Sequence, residues 1–343
     1  MKIALDAMGG DFGPPNLVGG AVMALREYPR LTKLFLVGDT PQIEVELKKN
    51  NCNDRRIEIV HSTQVVAMSD GAVQSVRRKK DSSVSRAVDL VKKGEAAAIV
   101  SAGHTGAAVA ATTIKLRTLP GIDRPGIAAL FPSETNIFVL IDAGANSDAK
   151  PEHLLQYGIM GSVYSRHVLG YKNPSIGLMS IGGEDVKGTE LTKEVFKMLK
   201  RSALNFRGNI EGHDLFAHPV EVVVCDGFVG NVILKTCESV GDAIFKWLKH
   251  ELVKSKVRMA GAFLAQKAFQ AIKKKVNYEE YGGSPLLGVN GICIIAHGAS
   301  TPLAIKNALR VAMESIEQQV NPHIIEEVGR YNETHAPLES ALH

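Results

Sequence analysis

One unit recurs along this chain of 343 residues: a short apolar run, a polar loop containing glycine, then a segment with helical apolar spacing. Lys2-Ile-Ala-Leu-Asp6 leads through Gly9-Gly10-Asp11 and Pro14-Pro15 into a helix with Leu17, Ala21, Leu25 and Tyr28 on one face. Leu34-Phe-Leu-Val37 ends at Gly38-Asp39, and Ala97-Ala-Ile-Val100 at Ser101-Ala-Gly-His-Thr-Gly106. Ile137-Phe-Val-Leu-Ile141 ends at Asp142-Ala-Gly-Ala-Asn146, with Pro151 and Glu152 suited to the first turn of the next helix. The runs 176–179, 222–224 and 292–295 repeat the pattern, ending at Ile181–Gly188, Asp226-Gly-Phe-Val-Gly230 and His297–Ser300. Continuous apolar strands alternating with helices predict an α/β sheet covered on both faces. No fixed-period sequence repeat accompanies the pattern, which excludes a solenoid.

Two long uncharged stretches, 96–114 and 281–305, are broken by glycines or prolines such as Gly103, Gly106, Pro285 and Gly291. A spanning helix needs about 20 continuous apolar residues, so both read as strand, glycine loop and helix. A formal net charge of +4 suits small anionic ligands or an acidic partner and falls short of a nucleic-acid-binding composition. Cys52, Cys225, Cys237 and Cys293 form no CxxC pair, which argues against structural zinc and for a reducing compartment. Met1–Asp6 reaches an acid before a secretory apolar region forms, so a cytoplasmic location is expected.

In open α/β sheets ligands bind at the carboxyl ends of strands, and that edge is expected to collect the loops named above. Glycine lets backbone N–H groups approach an anion, and a following helix N-terminus adds partial positive charge. Ser101–Gly106 fits this best, with two glycines and two hydroxyls; its glycines equally suit a plain βα turn. GxGxxG, GxxxxGK[ST] and GxSxG are all absent. His104 is a candidate acid/base or anion contact, or a solvated turn residue. Lys187 places a cation between glycine turns at a strand end, or faces solvent. Asp6, Asp142 and Asp226 stand where strands meet loops, where capping a turn is the plain alternative. Cys225 ends an apolar run and reads as core.

At these loops the sequence resembles the bacterial phosphate acyltransferase (PlsX) family. The matching segments include Asp6-Ala-Met-Gly-Gly-Asp11, Ser101-Ala-Gly-His-Thr-Gly-Ala107, Gly121-Ile-Asp-Arg-Pro125, Asp142-Ala-Gly-Ala-Asn146 and Asp148-Ala-Lys-Pro-Glu-His153. They continue through Ile159–Ser165, Gly183-Glu-Asp-Val-Lys-Gly188, Asp226-Gly-Phe-Val-Gly-Asn231 and Tyr281-Gly-Gly283, in family order to about residue 330. The resemblance implies a three-layer α/β/α, isocitrate/isopropylmalate dehydrogenase-like (Rossmann-like) fold. Residues 1–330 are expected to form one domain or two intimately packed lobes, and the polar stretch 331–343 a flexible tail. It implies a homodimer, peripheral association with the membrane, and no cofactor or metal. The implied reaction moves a long-chain acyl group from acyl carrier protein to inorganic phosphate, with acyl phosphate passing to a membrane glycerol-3-phosphate acyltransferase.

By the same resemblance, Lys187 would meet phosphate or oxyanion charge and Asn231 would donate to the reacting carbonyl. Ser101, Gly103, His104, Thr105 and Gly106 would cradle phosphate. Asp6 and Asp11 would shape the floor, and Gly9, Gly10, Asp226 and Gly230 would also contact phosphate or substrate. The family pattern carries Asn at position 104, so no imidazole is required, and a hydroxyl rather than a thiol at 225. Rival readings are a dehydrogenase of the same fold, a short-chain acyl-CoA phosphotransacetylase, and a membrane-associated scaffold.

Between Lys249 and Lys275 stand eight Lys/Arg against the single acid Glu251, interleaved with Met259, Phe263, Leu264, Phe269 and Ile272. This predicts a basic helical hairpin over 248–278, with Gly261 softening or turning the helix. Met259, Phe263 and Leu264 would form an apolar tip on an anionic membrane surface. Packing against a dimer mate and docking of the acidic carrier protein are the alternatives.

Overall fold

The computed structural model describes residues 1–217, 220–276 and 278–335. Its strands are β1 (Lys2–Asp6), β2 (Lys33–Gly38), β3 (Ile57–His61), β4 (Ala98–Ser101), β5 (Gly126–Pro132) and β6 (Ile137–Ile141). β7 (Ile176–Met179), β8 (Phe206–Ile210), β9 (Val222–Val224), β10 (Ser284–Leu287) and β11 (Ile292–Ile295) complete the set among the described residues. They form one sheet in the order β3-β2-β1-β4-β11-β10-β5-β6-β9-β7-β8.

Helices cover both faces because alternate strand residues face opposite ways. Ile3 and Leu5 pack with Leu17, Ala21 and Leu25 of the Pro14–Glu27 helix and with Ile305 and Leu309 of the Pro302–Glu317 helix. Ala4, between them, packs on the other side with Val84, Ala87 and Ala111. The second half repeats this: Val139 and Ile141 face Leu154 and Tyr157, while Phe138 and Leu140 join the cluster that holds Ile233 and Leu234. The expected two-faced α/β sheet is therefore present.

The strand directions divide the sheet in two. β3, β2, β1, β4 and β11 are mutually parallel, as are β6, β9, β7 and β8, but three antiparallel pairings separate the blocks. The blocks therefore run in opposite senses, and the single loop-bearing edge expected from the sequence is two edges. Register brings them together. Ile295, the last residue of β11, pairs with Ser284, and two residues along β10 Leu286 pairs with Ile127. One step further on β5, Ala128 pairs with Ile141, the last residue of β6. The carboxyl ends of the two blocks thus meet at nearly one level across β10 and β5, and the cleft forms there.

Differences at the chain's end are local. The Val320–His335 helix runs through the first five residues of the expected tail, and 336–343 lie outside the described residues. In the basic segment the long Gly227–Leu252 helix is followed by helices Lys256–Leu264 and Gln266–Val276. Gly261 lies inside the second of these and turns nothing; the chain breaks at Val253–Ser255 and at Ala265, while Asn277 lies outside the described residues. No helix among the described residues is long and apolar enough to cross a membrane.

The close approach of the Pro14–Glu27 and Pro302–Glu317 helices gives a paired test. A Cβ on Gly20 would stand 2.6 Å from both Ile305 Cβ and the Pro302 carbonyl oxygen, whereas one on Gly19 meets only Pro302 Cγ at 3.4 Å. Gly20→Ala should cost about 1–3 kcal/mol in urea unfolding, while Gly19→Ala should be neutral or stabilise by up to about 1 kcal/mol. Equal effects would mean that the helices separate freely.

Candidate active site

Loops after β1, β4 and β11 interlock through their glycines. A Cβ on Gly9 would lie 2.6 Å from the Gly103 nitrogen, and one on Gly10 (φ +79) would lie 2.8 Å from the Gly298 carbonyl oxygen. The Asp11 N–H donates to that same carbonyl at 2.8 Å. Beneath them Asp6 is buried, accepting from Ser101 Oγ at 2.8 Å and from the Met8 N–H at 3.3 Å. Asp6, Gly9, Ser101, Gly103 and His104 border a cavity of only ≈ 10 Å³. That is room for about one water, so these residues brace the loops and do not enclose a phosphate there.

On the other block, Asp142 at the end of β6 is fully buried and accepts four backbone N–H groups: Ile127 (2.9 Å), Gly144 (3.0 Å), Ala145 (2.9 Å) and Asn146 (2.7 Å). The Gly227–Leu252 helix starts against this turn. A Cβ on Gly227 would stand 2.6 Å from Asp142 Oδ2, and one on Gly230 only 1.9 Å from the Asp142 carbonyl oxygen. Both positions therefore require glycine.

Between the blocks lies a cleft of ≈ 410 Å³. Of the residues named from sequence, Thr105, Gly106 and Asn231 line it. Gly10, Asp11, Asp226 and Gly230 support its walls from behind. Lys187 lies outside it, on the exposed loop between β7 and the Glu190–Arg201 helix, with its backbone N–H on the Glu184 carbonyl. Sequence reasoning missed Ser147, Lys235, Glu238 and His297, which also line the cleft. Lys235 pairs with Glu238 at 2.8 Å, and His297 Nε2 stands 3.8 Å from the same carboxylate. His297 carried a signal, because it directly follows the apolar run of β11 and precedes Gly298.

Two helix N-termini open on this cleft, and their caps differ. His104 Nδ1 accepts the Ala107 N–H at 3.2 Å, so its side chain caps this helix. The Thr105 and Gly106 N–H groups have no partner among the described residues, and both residues face the cleft. At the second helix every early donor is taken. The Gly227 N–H goes to the Asn146 carbonyl, and those of Phe228 and Val229 go to the Asp226 carboxylate at 2.9 and 3.0 Å. Asp226 therefore neutralises its helix end, and the Thr105 end is the one with unpartnered donors beside the cleft.

Comparison with known proteins gives the family of the chain. A family model described as "Fatty acid synthesis protein" matches residues 1–323. The "Phosphate acyltransferase" of Akkermansia muciniphila is 51% identical over 336 residues, covering 96% of each chain. That of Pelotomaculum thermopropionicum is 50% identical over 320 residues, covering 93% of each. The chain belongs to the phosphate acyltransferase family. Among solved structures, a phosphotransacetylase from Streptococcus pyogenes superposes with a TM-score of 0.59 at 17% identity, over 92% of this chain and 94% of that one, a likeness of fold.

For a member of this family the thiol at position 225 invites a test as a nucleophile, and its setting speaks against that role. Burial, together with Asp142 and Asp226, pushes the Cys225 thiol well above its ordinary value, and Sγ points at the Asp142 carbonyl oxygen. The thiolate is therefore scarce at neutral pH.

Burial also raises Asp6 above the ordinary carboxyl value of 3.8, against the opposing hydrogen bonds from Ser83, Ser101, Met8 and Gly9. The folded state then keeps this proton to higher pH than the unfolded chain. Its contribution to stability is complete below 3.8 and is lost as pH rises through the raised folded value. Asp6→Asn should remove that loss, so that urea stability falls less steeply than in wild type between acid and neutral pH. Superimposable stability–pH profiles would contradict the assignment.

Proposed function

We propose that this enzyme makes acyl phosphate by moving a long-chain acyl group from the thioester of acyl carrier protein to inorganic phosphate, an early step of phospholipid synthesis. The observation that carries this reading is the pair of unpartnered N–H groups at Thr105 and Gly106, facing Asn231 across a cleft of ≈ 410 Å³. Phosphate at neutral pH is already an anionic nucleophile, and a thiolate is a competent leaving group, so no covalent enzyme intermediate or strong base is needed.

Phosphate is held by the Thr105 and Gly106 N–H groups and the Thr105 hydroxyl, which fixes one oxygen against the thioester carbon. As the P–O–C bond forms, the carbonyl oxygen gains charge and accepts a hydrogen bond from the Asn231 side-chain amide. Collapse breaks the C–S bond, and the carrier thiolate leaves and takes up, through water, the proton that the phosphate gives up. Lys187 is assigned by family resemblance to phosphate or oxyanion charge, although it stands outside the cleft on its exposed loop.

Purified protein with palmitoyl carrier protein should yield acyl phosphate only when phosphate is added, and EDTA should leave the rate unchanged. Lys187→Ala and Asn231→Ala should each lower turnover by about 100-fold with the fold intact. Near-wild-type turnover in either variant removes that residue from the mechanism.

The same reading assigns residues 1–330 to one unit of the isocitrate/isopropylmalate dehydrogenase-like class, since a single sheet runs through both blocks. It makes the enzyme a cytoplasmic homodimer resting on the membrane and delivering acyl phosphate to a membrane glycerol-3-phosphate acyltransferase. For the dimer, support comes from Phe228, Val232, Val240, Ile244 and Trp247, exposed along one side of the Gly227–Leu252 helix. For the membrane, support comes from the basic segment, where Met259, Phe263 and Leu264 of the Lys256–Leu264 helix are 53%, 75% and 85% exposed. Each nearby Lys or Arg adds about 1 kcal/mol of attraction to an anionic surface, so binding weakens with salt. Phe263→Glu with Leu264→Glu should abolish binding to anionic vesicles and preserve turnover in solution. Unchanged vesicle binding would place the contact elsewhere.

A further inference from the structure

A second cavity, of ≈ 370 Å³, adjoins the cleft and shares Leu130, Leu234, Glu238 and Tyr281 with it. One wall is the Gly227–Leu252 helix, through Leu234, Cys237, Glu238, Gly241, Asp242 and Phe245. These positions recur every three or four residues, so they form one face of the helix. At 100° per residue that face lies opposite the exposed stripe of Phe228, Val232, Val240, Ile244 and Trp247. The facing wall is the end of β5, Leu130–Pro132, backed by the aromatic pairs Phe131–Phe138 and Phe138–Phe216 at 5.4 and 6.1 Å between centroids.

The groove points away from the reacting end. Asn231 lies in the cleft, Gly241 stands about 15 Å further along the helix axis and Phe245 about 21 Å, a span comparable to an extended palmitoyl tail. Among the groove-lining positions of this helix Gly241 is the one without a side chain, and it keeps the groove open midway. At the far end Lys273 and Lys275 join the lining, and Lys275 Nζ closes onto the Glu134 carbonyl at 3.0 Å.

We propose that this groove holds the hydrocarbon tail of the acyl group while its thioester lies in the cleft, and that Gly241 sets the longest chain admitted. The proposal rests on the acyl-transfer reading above. Continuity with the cleft identifies the occupant: a group whose polar head reacts beside Asn231 must send its apolar remainder somewhere, and this apolar groove opens from that place. Every methylene removed from water there favours the longer substrate by roughly fourfold, until the groove is filled.

The test is the series Gly241→Ala, Gly241→Val and Gly241→Leu, assayed as kcat/KM on palmitoyl and butyryl carrier protein at saturating phosphate. Alanine in a helix interior is more favourable than glycine, so the first variant folds whatever the groove does. Gly241→Leu should lower kcat/KM on palmitoyl carrier protein by at least about tenfold and leave the butyryl value within about twofold, with the intermediate variants graded between. A palmitoyl-to-butyryl ratio that stays constant through the series, with acyl phosphate still made, overturns the groove and leaves the acyl-transfer reading standing. Wild-type enzyme that makes acyl phosphate from neither substrate overturns both.

Discussion

The buried carboxylate of Asp142 is the constraint on which the second half of the molecule depends. Desolvation raises its pKa, and four backbone N–H groups oppose that effect. Those four donors come from the start of β5 and from the turn after β6, so one side chain fixes the meeting point of the two blocks. The Gly227–Leu252 helix then seats against the same group through two glycines that no other residue can replace without displacing backbone. Gly144 (φ +133) in that turn lies against Asn231, a Cβ there standing 3.4 Å from the Asn231 Cβ, so the position of Asn231 follows from the same turn.

The two helix ends in the cleft show how capping divides labour. Both are N-termini and both would attract an anion in isolation. A carboxylate cap on one satisfies its first donors, while the His104 cap on the other leaves the Thr105 and Gly106 N–H groups unpartnered among the described residues. The two ends therefore present different donors to the cleft, which a symmetric pair of bare helix ends would not do.

Much of the fold was legible because strands buried on both faces are written as continuous apolar runs. β1, β2, β4, β6, β7, β9 and β11 all read directly from such runs. The strands that did not read so are informative. β10 (Ser284–Leu287) and β5 (Gly126–Pro132) contain proline and glycine, and their antiparallel pairing, which separates the blocks, leaves no local mark. β3 and β8 lie at the sheet's two margins and carry charged or polar residues such as Glu58, Arg207 and Asn209. At the site, glycine loops signalled the right regions but not which glycines face ligand. Gly9 and Gly103 are spent on each other, whereas Gly106 faces the cleft. Asp226 was legible as a strand-end acid, but only its hydrogen bonds show that it caps its own helix.

The Gly227–Leu252 helix has 26 residues, or about 39 Å of nearly rigid rod. It is clamped at one end by Asp142, Asp226 and the two glycines, and its other end carries the helices of the basic segment. Asn231 sits within about 7 Å of the clamp. Mechanically the helix is a lever with its fulcrum at the cleft. When the distal end swings by several ångströms, Asn231 moves by about one sixth of that distance. Motion at the outer end is thereby attenuated before it reaches the cleft.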